Sequence, residues 1–272
     1  MPRRREGEPA GASRTEPGGT AGTSPAILKA LWVLRALRIA ERDMGVADIA
    51  RTVGLPMTTV HRILKTLVVA GYVVQNAETD QYHLGREAFL LGRAVAETLG
   101  FDTAQPLLEH LSATTGESVN LVVRDGNQGL VVLRIESDQP LRYIQPVGTT
   151  IPLYCTSSGK ALLAFSADPA GEVDRLGELE ALTPRTITSP PKLVEELHAI
   201  RERLFSVNRG ERIAGVCGIA APVLGSDGVA VAALAVQGPE FRIPDARIAE
   251  IGPLVIGAAQ AIAATLPRGF QL

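Results

Sequence analysis

The chain has 272 residues, of which 46% are hydrophobic and 21% are charged, and its formal net charge is −2. This composition is typical of a water-soluble globular protein, and the length corresponds to about two domains. Cys155 and Cys217 are too few and too distant for a disulfide scaffold, and no stretch of ~18 uninterrupted apolar residues predicts a membrane span. We therefore expect a cytoplasmic protein with reduced cysteines that does not enter a membrane.

Charge divides the chain into two parts. Residues 1–95 contain 13 Lys and Arg against 9 Asp and Glu, whereas residues 96–272 contain 14 against 20. A basic first part and an acidic second part are expected when only the first part meets a polyanion. The positive excess is modest, so tight binding would need more than one copy of the chain.

Residues 1–24 are predicted to be a disordered tail. Arg3, Arg4 and Arg5 are followed by Gly, Pro, Ser, Thr and Glu without an apolar run. Because no hydrophobic segment follows the arginines, the pattern is not that of a secretory signal. Residues 268–272 are predicted to be a second, short tail.

A first helix is predicted from Pro25 to about Glu41, and it is apolar on two faces. One stripe can pack in the core of a small domain, and it consists of Ile27, Ala30, Leu31, Leu34 and Leu37. The other stripe lies on the far side and consists of Leu28, Trp32, Ala36 and Ile39. A helix with two apolar faces must bury both, and a small domain has one core to offer. The second stripe packs either on the second domain or on another subunit, and we favour a homo-oligomer.

The segment from Ile49 to Gly71 predicts a helix-turn-helix unit. Ala50 leaves room where the two helices cross, and Gly54 is a turn residue that tolerates positive φ. Pro56 stands where a missing N–H costs little, so the second helix can begin at Met57. At about 100° per residue this helix has one apolar side. Its members are Val60, Ile63, Leu64, Leu67 and Ala70.

The opposite side of the second helix carries side chains that suit DNA. Arg and Lys donate to guanine or phosphate, and Thr contacts bases or backbone oxygens. The candidate DNA-binding residues are Thr58, Thr59, His61, Arg62, Lys65 and Thr66. Two strand-like runs, Tyr72–Gln75 and Gln81–Leu84, bracket the turn-rich residues 76–80 and predict a wing. An amphipathic hairpin with a merely solvated basic face is the alternative, and the wing argues against it.

The remaining elements predict an α+β fold with an antiparallel sheet, placed after a winged helix-turn-helix domain of residues 25–85. A linker helix is predicted within residues 86–101, and a second domain over residues 102–267. Its predicted strands are Val119–Arg124, Leu130–Glu136, Leu141–Gln145, Val216–Val223 and Val229–Gln237. Its predicted helices are Thr103–Thr115, Gly159–Ser166, Lys192–Phe205 and Pro244–Leu266.

Metal, cofactor and catalytic patterns are weak in this sequence. The histidines at positions 61, 83, 110 and 198 show no paired-ligand spacing, so we expect neither a metal nor a cofactor. Ser157 and Lys160 satisfy S-x-x-K, in which a lysine can activate a nucleophilic serine of acyl-transferring enzymes. The accompanying S-D-N and K-T-G elements are absent. We expect no catalytic residues, and an acyl hydrolase stays a remote alternative.

The chain resembles the IclR family of bacterial transcription regulators from about residue 25 to 266. The matching segments are ADIARTVGLPMTTVHRILKTLVVAGYV, YHLG, PLYCTSSGKALLAF, LTPRTIT, GVCGIAAPV and VQGP, in the family's order. The resemblance implies a winged helix, a linker helix and a GAF-like α/β effector domain. It also implies dimers or tetramers that bind palindromic operators in double-stranded DNA and sense a small organic molecule, often a carboxylate or an aromatic catabolite.

The effector-binding residues that the resemblance implies are Ser157, Ser158, Gly159, Asn208, Glu211, Gly218, Ala235 and Gln237. Ser157 and Ser158 open a predicted helix, whose free N–H groups and positive dipole end suit an anion. Simple capping of the helix is the alternative, and both can hold at once.

This sequence departs from the family pattern at four of those positions. Asn208 replaces an Asp of relatives that bind small keto acids, Gly218 replaces a common Cys, and Ala235 and Gln237 replace two serines. We therefore do not transfer a glyoxylate-like ligand. The smaller Gly218 and Ala235 predict more room, and hence a larger or less polar acid such as an aromatic one.

Together these patterns predict a sequence-specific transcription regulator whose operator binding is modulated by a small organic effector. The main alternative is a constitutive DNA-binding regulator whose second domain only oligomerises.

Overall fold

The computed structural model describes residues 23–40, 42–98 and 100–265. The chain divides into two compact units, with the division between Leu90 and Leu91. Most of the predicted first tail, all of the second tail, and the predicted helix ends at Glu41 and Leu266 lie outside the described residues.

The first unit is a three-helix domain with a hairpin. Its elements are α1 (Pro25–Ile39), α2 (Val46–Val53), α3 (Met57–Val69), β1 (Val73–Gln75) and β2 (Tyr82–Leu84). Its core joins all three helices through Val33, Ile49, Val60 and Leu64, which are fully buried. The helix α4 (Arg86–Thr98) begins in this unit and continues past the division.

The hairpin that follows α3 is the predicted wing. Its strands pair antiparallel, with Val74 opposite His83. Met44, before α2, adds a bridge to Tyr82 through two backbone hydrogen bonds of 3.1 and 2.9 Å. This third segment was not predicted, because a single bridging residue leaves no periodic pattern in the sequence.

The second unit contains one antiparallel sheet. Its strands are β3 (Ser118–Asp125), β4 (Gln128–Ile135), β5 (Thr150–Pro152), β6 (Ser206–Arg209), β7 (Val216–Leu224) and β8 (Ala230–Pro239). They lie in the order β5-β4-β3-β8-β7-β6. The helices are α5 (Phe101–Thr115), α6 (Ser157–Ala164), α7 (Pro169–Leu176), α8 (Pro190–Arg203) and α9 (Asp245–Thr265). The predicted α+β class with an antiparallel sheet is confirmed.

Helices cover both faces of this sheet. Alternate residues of β8 point to opposite sides, so Leu234 packs with α5 and α9, whereas Ala233 and Ala235 pack with α6, α7 and α8. The side chains of β8 and β7 beneath α6 are small, and Ala220 lies opposite Ala235. Small side chains let α6 lie close to the sheet, which brings the start of α6 to the polar end of the strands.

The predicted strand at Leu141–Gln145 is wrong. These residues form an irregular connection between β4 and β5, and the prolines on either side, Pro140 and Pro146, lack the N–H that a ladder requires. Instead, the carbonyl of Leu141 accepts a hydrogen bond from Arg242 Nη1 at 2.8 Å. The short elements β5, β6 and α7 were not predicted, because three to eight residues are too few for a clear periodicity.

Among the described helices, α9 is long and apolar enough, by length and composition, to cross a membrane. The same pattern is typical of a core helix. Ile251, Val255 and Ile262 of α9 are buried in the layer that covers the sheet.

Candidate DNA-binding surface and effector pocket

The turn between α2 and α3 has the geometry that the sequence predicts. Gly54 caps α2 in the left-handed region, with φ of 67°. The N–H of Leu55 then bonds the carbonyl of Ala50 at 3.1 Å, and Pro56 is the N-cap of α3. Because only glycine adopts this conformation at little cost, Gly54 sets the direction in which α3 leaves the turn.

The outer face of α3 is exposed and basic. Thr58, His61, Arg62, Lys65 and Thr66 are exposed, and Thr59 is partly buried. Within the described residues, Arg62 and Lys65 form no ion pair, so both charges are available to an external anion. Thr66 donates its hydroxyl hydrogen to the carbonyl of Arg62 at 3.1 Å, which leaves its oxygen as an acceptor.

One residue assigned to the inner face of α3 is misplaced. Ala70 was predicted to be part of the apolar side, but α3 ends at Val69 and Ala70 is exposed. Beyond the last turn the chain leaves the helical path, so the 3.6-residue period no longer applies.

The loop of the wing is held by its own side chains. Asn76 Oδ1 accepts from the N–H groups of Glu78 and Thr79 at 2.9 and 3.3 Å. Asp80 has a positive φ of 54°, and its carboxylate accepts from Gln75 Nε2 at 3.2 Å. The acidic Glu78 and Asp80 do not favour phosphate, so DNA contacts by this loop would rely on main-chain groups.

The two apolar stripes assigned to α1 are partly wrong. Ala36, placed on the outer stripe, is buried in the unit's own core, whereas Ile27 and Leu31, placed on the inner stripe, are 62% and 52% exposed. The buried side of α1 carries Val33, Ala36 and Leu37. Around the helix axis, this side lies about a quarter-turn from the predicted inner stripe. The apolar face that remains exposed consists of Ile27, Leu31, Trp32 and Ile39.

A small cleft in the second unit lies at the polar end of the sheet. It is narrow, since its free volume is about 10 Å³, roughly the room of one water molecule, within about 270 Å³ of space that includes open solvent. Its lining residues are Tyr143, Thr156, Asn208, Arg212, Ile213, Val216, Gly218 and Gln237. Three of them lie in one row across adjacent strands, since Gly218 pairs with both Gln237 and Asn208. The cleft therefore combines strand ends with the start of α6 and the β6–β7 loop.

The start of α6 presents donors to this cleft. The side chain of Thr156 is the N-cap and accepts from the N–H of Gly159 at 3.1 Å. Ser157 and Ser158 are fully buried, and their hydroxyl oxygens have no hydrogen-bond partner among the described residues. An added Cβ on Gly218 would lie 2.6 Å from Ser157 Oγ. Because buried hydroxyls are normally hydrogen-bonded, the start of α6 has unused capacity beside the cleft.

An amide network forms the floor beside Gln237. Asn120 Nδ2 donates to Gln237 Oε1 at 3.1 Å and to Gln145 Oε1 at 3.2 Å. With its oxygen engaged, the amide nitrogen of Gln237 is left to donate into the cleft. Asn208 Oδ1 likewise accepts from the N–H of Glu211 at 2.8 Å, so its amide nitrogen is also a donor.

A buried ion pair holds the β6–β7 loop against α6. Lys160 is 1% exposed, and its Nζ lies 2.6 Å from Glu211 Oε1 and 2.7 Å from the carbonyl of Val207. Burial raises the pKa of Glu211, while the positive charge of Lys160 acts in the opposite direction. The LTPRTIT segment holds the same loop, since Thr183 Oγ1 donates to the carbonyl of Gly210 at 2.7 Å.

The geometry does not support an S-x-x-K nucleophile. The contacts of Lys160 Nζ are with Val207, Glu211 and Glu196, and Ser157 Oγ has no hydrogen-bond partner within the described residues. Burial also raises the pKa of Cys155 to about 12 and that of Cys217 to about 11, so both thiols stay protonated near neutral pH.

The predicted effector residues lie in one region but differ in their relation to the cleft. Asn208, Gly218 and Gln237 line it, Ser157 lies beside Gly218, and Ser158 is the next, fully buried residue of α6. Ala235 is fully buried under α6 and does not line it. Gly159 is packed against the backbone of Leu153, where an added Cβ would come within 2.2 Å of the carbonyl oxygen.

The expectation of extra room is not supported at either small residue. The space beside Gly218 is occupied by Ser157 Oγ, and Ala235 faces the helix rather than the cleft. A small side chain enlarges a pocket only if nothing else fills the space, and here Ser157 Oγ fills the space beside Gly218.

Sequence reasoning missed Tyr143 and Arg212 as cleft residues. Both lie on irregular segments, where no periodicity indicates the direction of a side chain. Arg212 directly follows Glu211, and this adjacency is the signal that could have drawn attention to it.

The fold and these surfaces define the class of the protein, a winged-helix DNA-binding regulator with a separate α/β unit. The model of the IclR helix-turn-helix domain matches residues 26–77, and that of the bacterial transcriptional regulator IclR C-terminal domain matches residues 95–264. The chain therefore belongs to the IclR family of bacterial transcriptional regulators.

Curated relatives cover nearly the whole chain. The HTH-type transcriptional regulator BhcR of Paracoccus denitrificans is 34% identical over 260 residues, which is 94% of this chain and 92% of BhcR. The HTH-type transcriptional repressor AllR of Escherichia coli K12 is 30% identical over 265 residues, covering 97% and 96% of the two chains.

A solved structure shares the fold. An IclR homolog from Microbacterium hydrocarbonoxydans, complexed with 4-hydroxybenzoate, matches with a TM-score of 0.77 and 23% identity. The match covers 89% of this chain and 98% of that one.

Proposed function

We propose that this regulator binds its operator through the outer face of α3, and that a carboxylic acid bound in the cleft changes its affinity for DNA. The observation that carries the second half of this proposal is the donor-rich cleft beside the start of α6. The amide oxygens of Gln237 and Asn208 are already engaged, whereas the hydroxyls of Ser157 and Ser158 have no partner among the described residues.

The DNA-binding half rests on the exposed cations of α3. Arg62 and Lys65 are unpaired within the described residues and lie one turn apart on the face that also carries His61. A helix of this kind enters the major groove with its polar face toward base edges. We assign Thr58, His61, Arg62, Lys65 and Thr66 to this contact, with Thr59 near the backbone.

The effector half rests on the chemistry of the cleft. Free N–H groups at a helix start, two unpartnered serine hydroxyls and a guanidinium all favour an anion with several acceptor oxygens. The homolog with 4-hydroxybenzoate shows that this fold can hold an organic acid. We infer a carboxylate effector for this chain.

Self-association rests on the exposed apolar face of α1. Leu31 and Trp32 are adjacent on this face, and they are 52% and 44% exposed. Large apolar side chains grouped in this way are typical of an interface. A homodimer or tetramer with a two-fold axis would place two α3 helices on the halves of a palindromic operator, in the cytoplasm where the chromosome lies.

The first step of the test selects DNA duplexes from a random library with the purified protein. The second step measures the affinity of the protein for the selected operator while two-carbon, dicarboxylic and aromatic acids are added. At least one acid should shift operator affinity, because a ligand changes DNA binding through differential affinity for two protein states. Ser158→Ala should weaken the response, while Ser226→Ala, in the exposed β7–β8 turn, should not. A selected operator whose affinity no acid changes would support the constitutive alternative instead.

A further inference from the structure

One cation of the cleft has no role in the fold. Arg212 lies in the β6–β7 loop and lines the cleft together with Tyr143 and Ile213. Its side chain is partly buried. Within the described residues, it makes no hydrogen bond and no ion pair.

Other arginines of the second unit behave differently. In the described part of this unit, every arginine except Arg212 donates to a carboxylate or a carbonyl. Arg209, three residues before it, pairs with Asp245, and Arg185 pairs with Glu240. The lack of a partner is therefore particular to Arg212.

The acidic residue next to Arg212 in the chain does not pair with it. Glu211 precedes it, but one oxygen of that carboxylate lies 2.6 Å from Lys160 Nζ on the α6 side of the loop. The charge of Arg212 is felt inside the cleft. It lowers the pKa of Tyr143, whereas burial raises that pKa and is the larger of the two effects. A guanidinium keeps its proton at any physiological pH, so the partly buried Arg212 presents a permanent positive charge to an anion in the cleft.

The cleft thus has two separate donor groups on two different elements. The start of α6 offers the hydroxyls of Ser157 and Ser158, and the β6–β7 loop offers the guanidinium of Arg212. A single carboxylate bound at the α6 end leaves Arg212 without an anionic partner. A ligand with one carboxylate at each end satisfies both groups.

We propose that Arg212 binds the second carboxylate of the effector, so that the cleft selects dicarboxylic acids over monocarboxylic acids of the same shape. This inference rests on the proposed function, since it concerns the same cleft. It names Arg212 as a specificity-determining residue outside the set that the sequence predicts.

The experiment uses isothermal titration of the full-length protein with two matched pairs of acids, succinate with butyrate and terephthalate with 4-methylbenzoate. Each pair replaces one carboxylate by a methyl group. At least one diacid should bind about tenfold or more tightly than its partner, because a bidentate Arg–carboxylate pair is among the strongest hydrogen-bonded contacts. Arg212→Gln should reduce the diacid to the affinity of the monoacid.

Lys192→Gln is the matched control, since Lys192 is exposed at the start of α8 and has no hydrogen bond or ion pair within the described part of the chain. It removes the same charge without touching the cleft, and the diacid preference should persist.

Equal affinities within both pairs, or an undiminished preference in Arg212→Gln, would overturn the assignment of Arg212. If a monoacid binds and shifts operator affinity in that case, the proposed function still stands. If neither diacid binds at millimolar concentration, the dicarboxylate inference fails, and the wider acid panel on operator DNA then decides the proposed function alone.

Discussion

Single side chains carry the charge that this protein offers to DNA. Arg62 is exposed in the middle of α3 and has no ion-pair partner among the described residues. An exposed arginine contributes little to folding, so its removal should act on binding and leave the fold intact.

Arg62→Ala should weaken binding to the selected operator by at least about tenfold, corresponding to about 1.4 kcal/mol or more, while the oligomeric state stays unchanged. Gel-shift titration and light scattering measure the two quantities. Arg175→Ala, on exposed α7 of the second unit, is the charge-matched control. Unchanged operator affinity in Arg62→Ala would remove α3 from the proposed contact.

Gly218 is a second position where one residue decides local geometry. An added methyl group would lie 2.6 Å from Ser157 Oγ. Gly218→Ala should therefore turn the Ser157 hydroxyl out of its rotamer and lower the free energy of unfolding by about 0.5–1.5 kcal/mol. Gly257→Ala is the control, since nothing lies near its added Cβ on α9 and a helical Gly-to-Ala change stabilises by up to about 1 kcal/mol. Chemical denaturation of both variants measures the difference, and equal stability would show that the start of α6 adapts freely.

At the level of elements, α6 and the β6–β7 loop form the two sides of the cleft. The Lys160–Glu211 pair joins them, and Thr183 and Thr186 bond the carbonyls of the same loop. The cleft therefore depends on contacts between segments that are about 50 residues apart in the chain.

Lys160→Met should reduce the free energy of unfolding by about 3–5 kcal/mol, because it leaves Glu211 buried without its partner. The double variant Lys160→Met, Glu211→Leu should lose clearly less than the two single variants combined. A double-mutant cycle by chemical denaturation measures this coupling, and additive losses would show that the pair contributes nothing to holding the loop.

The loss in Lys160→Met should depend on pH. Burial raises the pKa of Glu211 in the folded state, and Lys160→Met removes the positive charge that acts against this shift. The folded variant therefore binds this proton more tightly than its unfolded chain does, and more tightly than the folded wild type does. Stability is then greatest below the unfolded pKa and falls as the pH rises through the folded pKa, which makes the loss smaller at pH ~5 than at pH ~8. A loss that is the same at both values would contradict the burial of an unpaired carboxyl.

At the level of the whole molecule, the proposed self-association involves α1. Leu31 and Trp32 lie on its exposed apolar face, outside the core of the first unit. An exposed apolar face of this kind is stable in water when another subunit covers it.

Leu31→Glu, Trp32→Glu should lower the mass of the particle in solution to half or less and weaken operator binding, because charged side chains resist burial at an interface. Light scattering measures the mass. Ala181→Glu, in an exposed loop of the second unit, is the control and should leave the mass unchanged. An unaltered mass in the double variant would show that assembly does not involve this face.

The order of elements and the outer face of α3 could be predicted because they depend on local rules. Gly54 ends α2 by its own conformational freedom, and the residues of α3 divide by the period of one helix. Hairpins with clear turn residues, such as β7 and β8 around Asp227-Gly228, follow from the same short-range chemistry.

Other features are decided only when distant segments meet. Which side of α1 is buried depends on where α2 and α3 pack against it. Contrary to the prediction, Ala36 is buried and Ile27 is exposed. The space at Gly218 depends on how closely α6 lies over the sheet, and that distance depends on the small residues of β7 and β8 beneath the helix.

The sequence by itself therefore determined the family, the α+β class and the exposed polar face of α3 that we propose binds DNA, because each follows from short motifs and local periodicities. Only the tertiary structure decided that Glu211 is committed to Lys160 while Arg212 faces the cleft without a partner. Adjacent residues of a loop can point in opposite directions, and packing against α6, rather than any local preference, settles which one is left for a ligand.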